Sequence, residues 1–474
     1  MAAPLLVGLD VGTTASKAVV FTDTGEPLSQ ASAATPWTAT RTGAELDATA
    51  LLGSAVAALA GALAAAPPGP VAGLGVASLG ESGVLLDRSG APVGPVVAWH
   101  DTRDETELAD LHARIGPETF ARTTGLPLRH QWALTKHRWL LTHHPETRTA
   151  VRRLNIAEWV VRRLGGMEAA EQSLAARTGW LRLHDRDWWP EALEWSGARA
   201  SLMPEVVTAG TALGTVDAGA RLDRLTGATL TVCGHDHQVA AIGAGAVRPG
   251  DELDSCGTAE ALVRSVPPGL APETVAGLVA AGVTVGWHAL AGRWCLLGAT
   301  TGGLVLQRVL AGLGLDRADL ARIDTLAAQV QPGRVEVRIT DEGRSVVVPA
   351  GEAAEPAEIW RAALETVTDE IGVIHDAMTA YSGDHHDLVA VGGWSRSEAL
   401  MAAKARRLGP VRRSPVVEAG ARGAALLAGL SAGVYGSVDD FPDAAGSTAG
   451  VHPGDTAAAR RTAGRPRRIT PRQP

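Results

Sequence analysis

The sequence predicts a mixed α/β fold built in two halves around a cleft, and three features carry that expectation. A strand, a small-residue turn and a returning strand open the chain in LLVGLDVGTTASKAVVF, residues 5–21. A second unit of similar form lies in GDELDSCGTAEALVRSV, residues 250–266. Just before it, TVCGHDHQ places an acid, Asp236, at a glycine-broken strand end. Two such turns near the starts of two halves suggest a cleft that clasps phosphate from both sides.

In the first half, residues 5–9, 17–21 and 28–34 read as successive strands, the last two joined by Asp23-Thr24-Gly25-Glu26-Pro27, which has turn chemistry. In the opening turn, the small residues around Gly12 let backbone N–H groups approach an anion. Thr13 and Thr14 add hydroxyl donors and Lys17 adds charge. Asp10 can bind hydrated Mg²⁺ through a carboxylate oxygen. A helix over 47–66 and strands over 71–78 and 83–87 follow, a pattern that fits a mixed α/β domain. Residues 104–199 read mainly helical, and their tryptophans (Trp132, Trp139, Trp159, Trp180, Trp188, Trp189 and Trp195) fit core packing better than a substrate wall.

The second half starts near residue 232, with hairpin-like strands within 250–266 and 283–298. Its turn, Asp254-Ser255-Cys256-Gly257-Thr258, lacks a lysine. Trp360, Leu364, Val367, Ile371, Ile374 and Met378 alternate spacings of four and three, which gives one apolar helical face for a core. A strand over 387–391 meets Gly392-Gly393 and a helix from about 395, and another helix covers 418–430. After Gly436 the composition turns to Ala, Gly, Pro and Arg, so a mobile tail is expected, with Arg460, Arg461, Arg465, Arg467 and Arg468 solvated. The expected division is therefore 1–230, 231–436 and a tail over 437–474.

At 474 residues the length suits two or more domains with substantial cores. The 43 basic and 51 acidic residues leave a formal charge of -8, which disfavours broad nucleic-acid binding. Cys233, Cys256 and Cys295 are too widely spaced for a disulfide framework or a CxxC zinc site, so a reducing cytoplasm is the natural reading. The apolar stretch 51–66 is short for a membrane span and is broken by Gly53, Ser54 and Gly61, which favours a packed helix. No membrane partner is expected, and a homodimer is left open.

Several residues could carry chemistry. Asp236 can cap the helix that follows it, or it can accept a hydroxyl proton beside a γ-phosphate, and the segment alone leaves both readings open. His235 and His237 invite a zinc alternative, without a second convincing ligand pair. Ser78-Leu79-Gly80-Glu81-Ser82 and Trp99-His100-Asp101-Thr102-Arg103 hold acceptors and donors able to grip a polyhydroxylated molecule, with Trp99 able to cover a sugar face. A plain loop salt bridge from Asp101 to Arg103 explains the second cluster equally well. The polar run Asp384-His385-His386-Asp387 reads as a solvated loop.

Taken together, LDVGTTASK, GVLLDRSGAPVGPVVAWHDTR, GHDHQVAAIGAG, SCGTAEAL, and VGGWSRSEAL followed by GARGAALLAG resemble the FGGY carbohydrate kinase family, in order from Leu5 to about Gly436. The resemblance implies two actin-like, ribonuclease-H-like domains around a deep cleft, with sugar bound mainly by the first and ATP by the second. It implies Asp236 as general base, Asp10 as the Mg²⁺ residue, and Thr13, Thr14, Lys17, Gly257 and Thr258 at the phosphates. It carries nucleotide contacts onto Gly303, Gln307, Gly393 and Ser397, while Trp394 stands where the family often has a small residue and either packs against adenine or alters the pocket. On the acceptor side it implies Glu81, Trp99, Asp101, Arg103 and Gln131. Gly80-Glu81-Ser82 departs from the Met-His pair of xylulose kinases and the Arg-Glu pair of glycerol kinases. The expected reaction is ATP-dependent phosphorylation of a primary hydroxyl on a small sugar, a ketopentose such as xylulose ranking first. A glycerol, tetritol or other polyol kinase ranks behind it, then a nucleotide-gated sugar-binding protein without turnover.

Overall fold

The computed structural model describes residues 3–444 apart from 218, 332, 334, 340–344 and 350–353. Strands β1 (Leu5–Val11), β2 (Ala15–Phe21) and β3 (Pro27–Ala34) form an antiparallel meander. Helix α1 (Ala48–Ala65) starts at Asp47, whose side chain accepts from the Ala50 N–H at 2.8 Å, and buries Leu51, Ala55, Ala58, Leu59 and Ala62 beneath β2 and β3. It is the one described helix long and apolar enough to cross a membrane, and its apolar face is spent on this sheet.

Strands β4 (Val71–Ser78) and β5 (Thr229–His235) then join parallel to β1, giving the order β5-β4-β1-β2-β3. The division expected at 230/231 therefore falls inside a strand of the first sheet. The short apolar run of β5, buried throughout after Thr229, pairs with β4, so it cannot open the second half. Between β4 and β5 sits the helical region expected over 104–199. Trp132, Trp159 and Trp180 are fully buried there, as core packing requires.

Helix α2 (Asp236–Gly243) leads to a second sheet. Strands β6 (Glu252–Cys256), β7 (Glu260–Val266), β8 (Thr284–Trp287) and β9 (Trp294–Thr300) precede helices α3 (Gly302–Gly312) and α4 (Pro356–Ser382). Strand β10 (Leu388–Val391), α5 (Glu398–Leu408), β11 (Arg412–Arg413) and α6 (Ala419–Ser431) complete it. The order β8-β9-β7-β6-β10-β11 repeats the first sheet, a three-strand meander extended by two parallel strands, with β8 as an added edge. The apolar stripe of α4, from Trp360 to Met378, is buried as its spacing requires.

Helix α6 belongs to the second half in sequence, yet it packs on β1, β4 and α2. Close approach is possible because the contact points are glycines. A Cβ on Gly8 would lie 1.8 Å from the Ala421 carbonyl oxygen, and one on Gly423 2.0 Å from that of Val239. The α2–α6 pair thus forms the seam between the halves. The packed chain also runs past the expected end at 436, since Arg422 donates to the Pro442 and Asp443 carbonyls at 2.8 and 3.2 Å. The arginines at 460–468 lie outside the described residues.

Candidate active site

The strand register brings the two principal acids together. Asp10 pairs with Ala77, which pairs with Gly234, and one step on Val11, Ser78 and His235 share a row. The three parallel strands therefore end on one edge, with Asp10 on one side of β4 and Asp236 on the other. Adjacent strands lie about 4.8 Å apart, so their backbones are about 10 Å apart and their side chains can converge. An irregularity at Cys233 and Gly234 turns the chain there, with Gly234 at φ 109°, a conformation that favours glycine.

Asp236 opens α2 and its Oδ1 accepts the His237 N–H at 2.7 Å. Its carboxyl is nevertheless pushed well up: burial is the main cause, Glu81 adds to it, and the His237 N–H and Arg177 oppose it. Asp10 is raised as well, by burial and then by the charge of Asp236, against the pull of Lys17. Asp10 Oδ1 is buried without a hydrogen-bond partner, so the site has an orphan carboxylate oxygen that a divalent cation would satisfy. Lys17 Nζ lies 3.0 Å from Glu418 Oε2, tying the first turn to the start of α6. The turn is also braced from behind: Thr35 Oγ1 donates to the Gly12 carbonyl at 2.8 Å and Trp37 Nε1 to that of Thr13 at 2.7 Å. Trp99 Nε1 donates to Thr13 Oγ1 at 3.3 Å, which brings the expected sugar wall to the phosphate turn, and Thr14 is exposed.

Glu81 is buried at φ 66°, a left-handed conformation unusual for a residue with a Cβ. Its Oε1 accepts from Arg177 Nε at 2.6 Å and from Gln131 Nε2 at 3.1 Å, so both expected acceptor residues meet there. Arg177 also donates to Thr284 Oγ1 of the second half at 3.3 Å. Sequence reading missed Arg177 because it sits in the helical region with no motif around it. Asp101 and Arg103 are different. Their bidentate pair, the Arg103 N–H, Thr40 and Glu45 occupy their polar atoms. Burial pushes the Asp101 carboxyl up and Arg103 more than reverses this, leaving it at about 2. The structure thus places them as a closed brace with Thr40 and Glu45, Arg103 lying over the Trp139 ring at 4.9 Å, and not as free groups for an acceptor.

On the other wall, Thr258 is exposed at the tip of the β6–β7 turn and its carbonyl accepts the Leu304 N–H at 2.9 Å. Gly303 is needed here, because a Cβ would lie 1.8 Å from the Gly257 carbonyl oxygen. Gln307 is exposed on α3. Gly393 lies under the Arg317 guanidinium, which also covers the Trp394 ring at 4.6 Å. Ser397 departs from expectation: it is fully buried, donates to Asp324 Oδ2 at 2.7 Å and caps α5 through the Leu400 N–H at 3.1 Å. Its hydroxyl is committed and makes no free contact for a base. Trp394 is also buried, against Trp360. Behind this turn Lys404 of α5 is fully buried between Asp254 and Glu260, which occupy its charge.

His235 and His237 are both held neutral, by burial and by Arg177, with His237 lowered to about 4. Among the described residues, the groups of three metal-capable side chains are Glu252–His375–His385 and Asp254–Cys256–Glu260, neither of which includes them. The first contains His385 of the loop expected to be solvated, and Arg264 already pairs with its Glu252 at 2.5 Å.

Both halves match models of one family. Residues 5–243 match the N-terminal domain and residues 318–432 the C-terminal domain of the FGGY family of carbohydrate kinases. The chain belongs to the FGGY family. It is a carbohydrate kinase with two actin-like domains, which the repeated sheet order reflects. The first-domain match runs past β5, in keeping with the strand pairing. It is 29% identical over 466 residues to "Glycerol kinase 2" of Streptomyces avermitilis, covering 92% of this chain and 90% of that protein. Similar solved structures include the xylulose kinase from Rhodospirillum rubrum, with TM-score 0.82, 23% identity and 92% of each chain covered. Another is the Plasmodium falciparum glycerol kinase with ADP, with TM-score 0.83, 18% identity, and 92% of this chain and 91% of that one covered.

Proposed function

We propose that this kinase transfers the γ-phosphoryl group of ATP to a terminal hydroxyl of a small open-chain sugar or polyol, with Asp236 as the general base. The observation that carries the reading is the convergence of Asp10 and Asp236 at one edge of the first sheet, both carboxyls raised by burial and Asp10 raised further by the charge of Asp236.

Asp236 accepts the hydroxyl proton as the acceptor oxygen bonds to the γ-phosphorus and the bond to the β,γ-bridging oxygen breaks. A carboxyl raised toward neutrality suits that task, being ionised enough to accept the proton and basic enough to hold it. Asp10, with its orphan Oδ1, would hold Mg²⁺. Bound there, the ion neutralises phosphate charge. Thr13, Thr14 and Lys17 face the phosphates from the first half, and Gly257 and Thr258 from the second. Gly303 keeps α3 close enough for Gln307 and the Gly393 turn to line the base site. Glu81 and Gln131 orient the acceptor, and Trp99 excludes water from its face.

The names of the relatives divide between glycerol and xylulose kinases, so they do not single out a ketopentose. Glu81, buried and strained beside Asp236, supports an acceptor rich in free hydroxyls, which includes both classes. The three buried free thiols support a reducing, cytoplasmic setting. Release of ADP with Mg-ATP across ketopentoses, aldoses, sugar acids, glycerol and tetritols tests the reading. Acceptor-dependent release that disappears in Asp236→Asn is expected, and ATP binding without stimulation by any acceptor would point to a binding protein instead.

A further inference from the structure

Asp236 owes its direction to the irregularity in β5, and two side chains hold that irregularity from behind. Gly234 stands at φ 109°, and the N–H of the next residue, His235, donates to Ser173 Oγ at 2.9 Å. Ser173 Oγ in turn donates to Glu171 Oε2 at 2.5 Å, and the same carboxyl oxygen accepts the Ser173 and Leu174 N–H groups at 2.9 and 3.1 Å. Glu171, Ser173 and His235 are all buried. The fit is close: a Cβ on Gly234 would lie 2.4 Å from Ser173 Oγ and 2.9 Å from Glu171 Oε2.

The brace is anchored on both sides. The Glu171 N–H donates to Glu158 Oε1 at 2.9 Å, and Gln172 donates through Nε2 to the His288 carbonyl of the second half at 2.5 Å. Capping the short helical turn Gln172–Ala175 accounts for two of the bonds to Glu171, and a serine or asparagine could make such a cap without burying a carboxyl. Glu171 Oε1 is buried without a hydrogen-bond partner, and burial pushes the carboxyl up to about 8, so at neutral pH it is mainly the uncharged acid. A buried group left partly unsatisfied calls for an explanation. Here the chain of hydrogen bonds that it heads ends on the backbone that carries the base.

We propose that Glu171 and Ser173 are positioning residues for Asp236. The chain Glu171 Oε2, Ser173 Oγ, His235 N–H fixes the peptide before Asp236, and with it the direction from which the carboxylate meets the acceptor hydroxyl. This rests on the kinase reading above. The two residues act through the backbone and take no part in the proton transfer, which runs from the acceptor hydroxyl to Asp236 as already described. Misplacing a reacting group by about 1 Å costs on the order of 10²-fold in rate. ATP and acceptor are held by other residues, so the loss falls on kcat and not on KM.

The test uses the full chain, Mg-ATP and whichever acceptor of the panel above releases most ADP, with a thermal melt of every variant. Ser173→Ala and Glu171→Ala should lower kcat about 10–100-fold, with KM for ATP and acceptor within about twofold of the parent. Glu171→Gln offers an uncharged oxygen for the same three bonds and should keep kcat within about threefold. In the Asp236→Asn background, Ser173→Ala should change single-turnover ADP formation by less than about twofold, since no base is left to misplace, whereas a merely structural lesion would lower both backgrounds alike. Where Glu171→Ala does not fold, Ser173→Ala decides. Parent kcat in Ser173→Ala, a loss carried by KM, an equal loss in the Asp236→Asn background, or Glu171→Gln as damaging as Ser173→Ala would overturn the proposal. So would a Ser173→Ala that fails to fold, because the serine would then hold the fold and not the base. Any of these results beside an inactive Asp236→Asn leaves the kinase reading standing, and a parent chain without acceptor-dependent ADP release overturns both.

Discussion

Replacing Asp236 with asparagine should stabilise the protein while disabling it. The Asp236 carboxyl is raised from 3.8 to about 7, chiefly by burial. A raised acid is a stability cost to the folded state that is absent below about pH 4, grows as pH rises through the window between the two values, and is full above about pH 7. The shift is about three units, or about 4 kcal/mol at 1.36 kcal/mol per unit. Asp236 also raises Asp10, so the shifts of the two acids are not additive, and about 2 kcal/mol, half the full figure, is the smallest gain expected from Asp236→Asn. Asparagine has the same shape and no charge to desolvate. For a domain of some 200 residues this corresponds to about 4–8 °C in Tm. Thermal melts of both proteins at pH 4, 6 and 8 give the answer directly. The variant should gain at pH 8, gain less at pH 6, and match the parent at pH 4. A variant no more stable at pH 8 than its parent would refute the buried, charge-opposed pair.

Three further outcomes follow from the same geometry. The kcat/KM for acceptor should rise with pH through an acid limb near 7, since the base must be ionised. His237→Asn should keep that limb because His237 is already neutral there. Gly303→Ala puts a Cβ 1.8 Å from the Gly257 carbonyl oxygen and must displace the turn carrying Thr258. It should cost about 10–100-fold in kcat/KM for ATP, while acceptor binding without nucleotide stays normal. Lys404→Met leaves Asp254 and Glu260 buried together and should destabilise by about 3–5 kcal/mol in a denaturant melt.

The sequence was most legible where pattern and chemistry coincide locally. The strands at 71–78 and the helix from 356 follow from β-rich runs and four–three spacing, and the two small-residue turns mark the two sheets. Boundaries read less well: β5 looks like the start of a new half because its partner, β4, lies some 150 residues earlier. Long-range charge pairing was invisible for the same reason. Nothing near Arg177 signals Glu81, and nothing near Lys404 signals Asp254. Motif position alone also does not show which side chains already have partners, as Ser397 has in Asp324 and Asp101 in Arg103.

The central claim is phosphoryl transfer to an acceptor hydroxyl with Asp236 as base, and single-turnover ADP formation with Mg-ATP and a saturating acceptor tests it most directly. The account predicts acceptor-dependent ADP and a phosphorylated acceptor, both reduced about 10²–10⁴-fold in Asp236→Asn while ATP still binds. Near-normal transfer in that variant would contradict it.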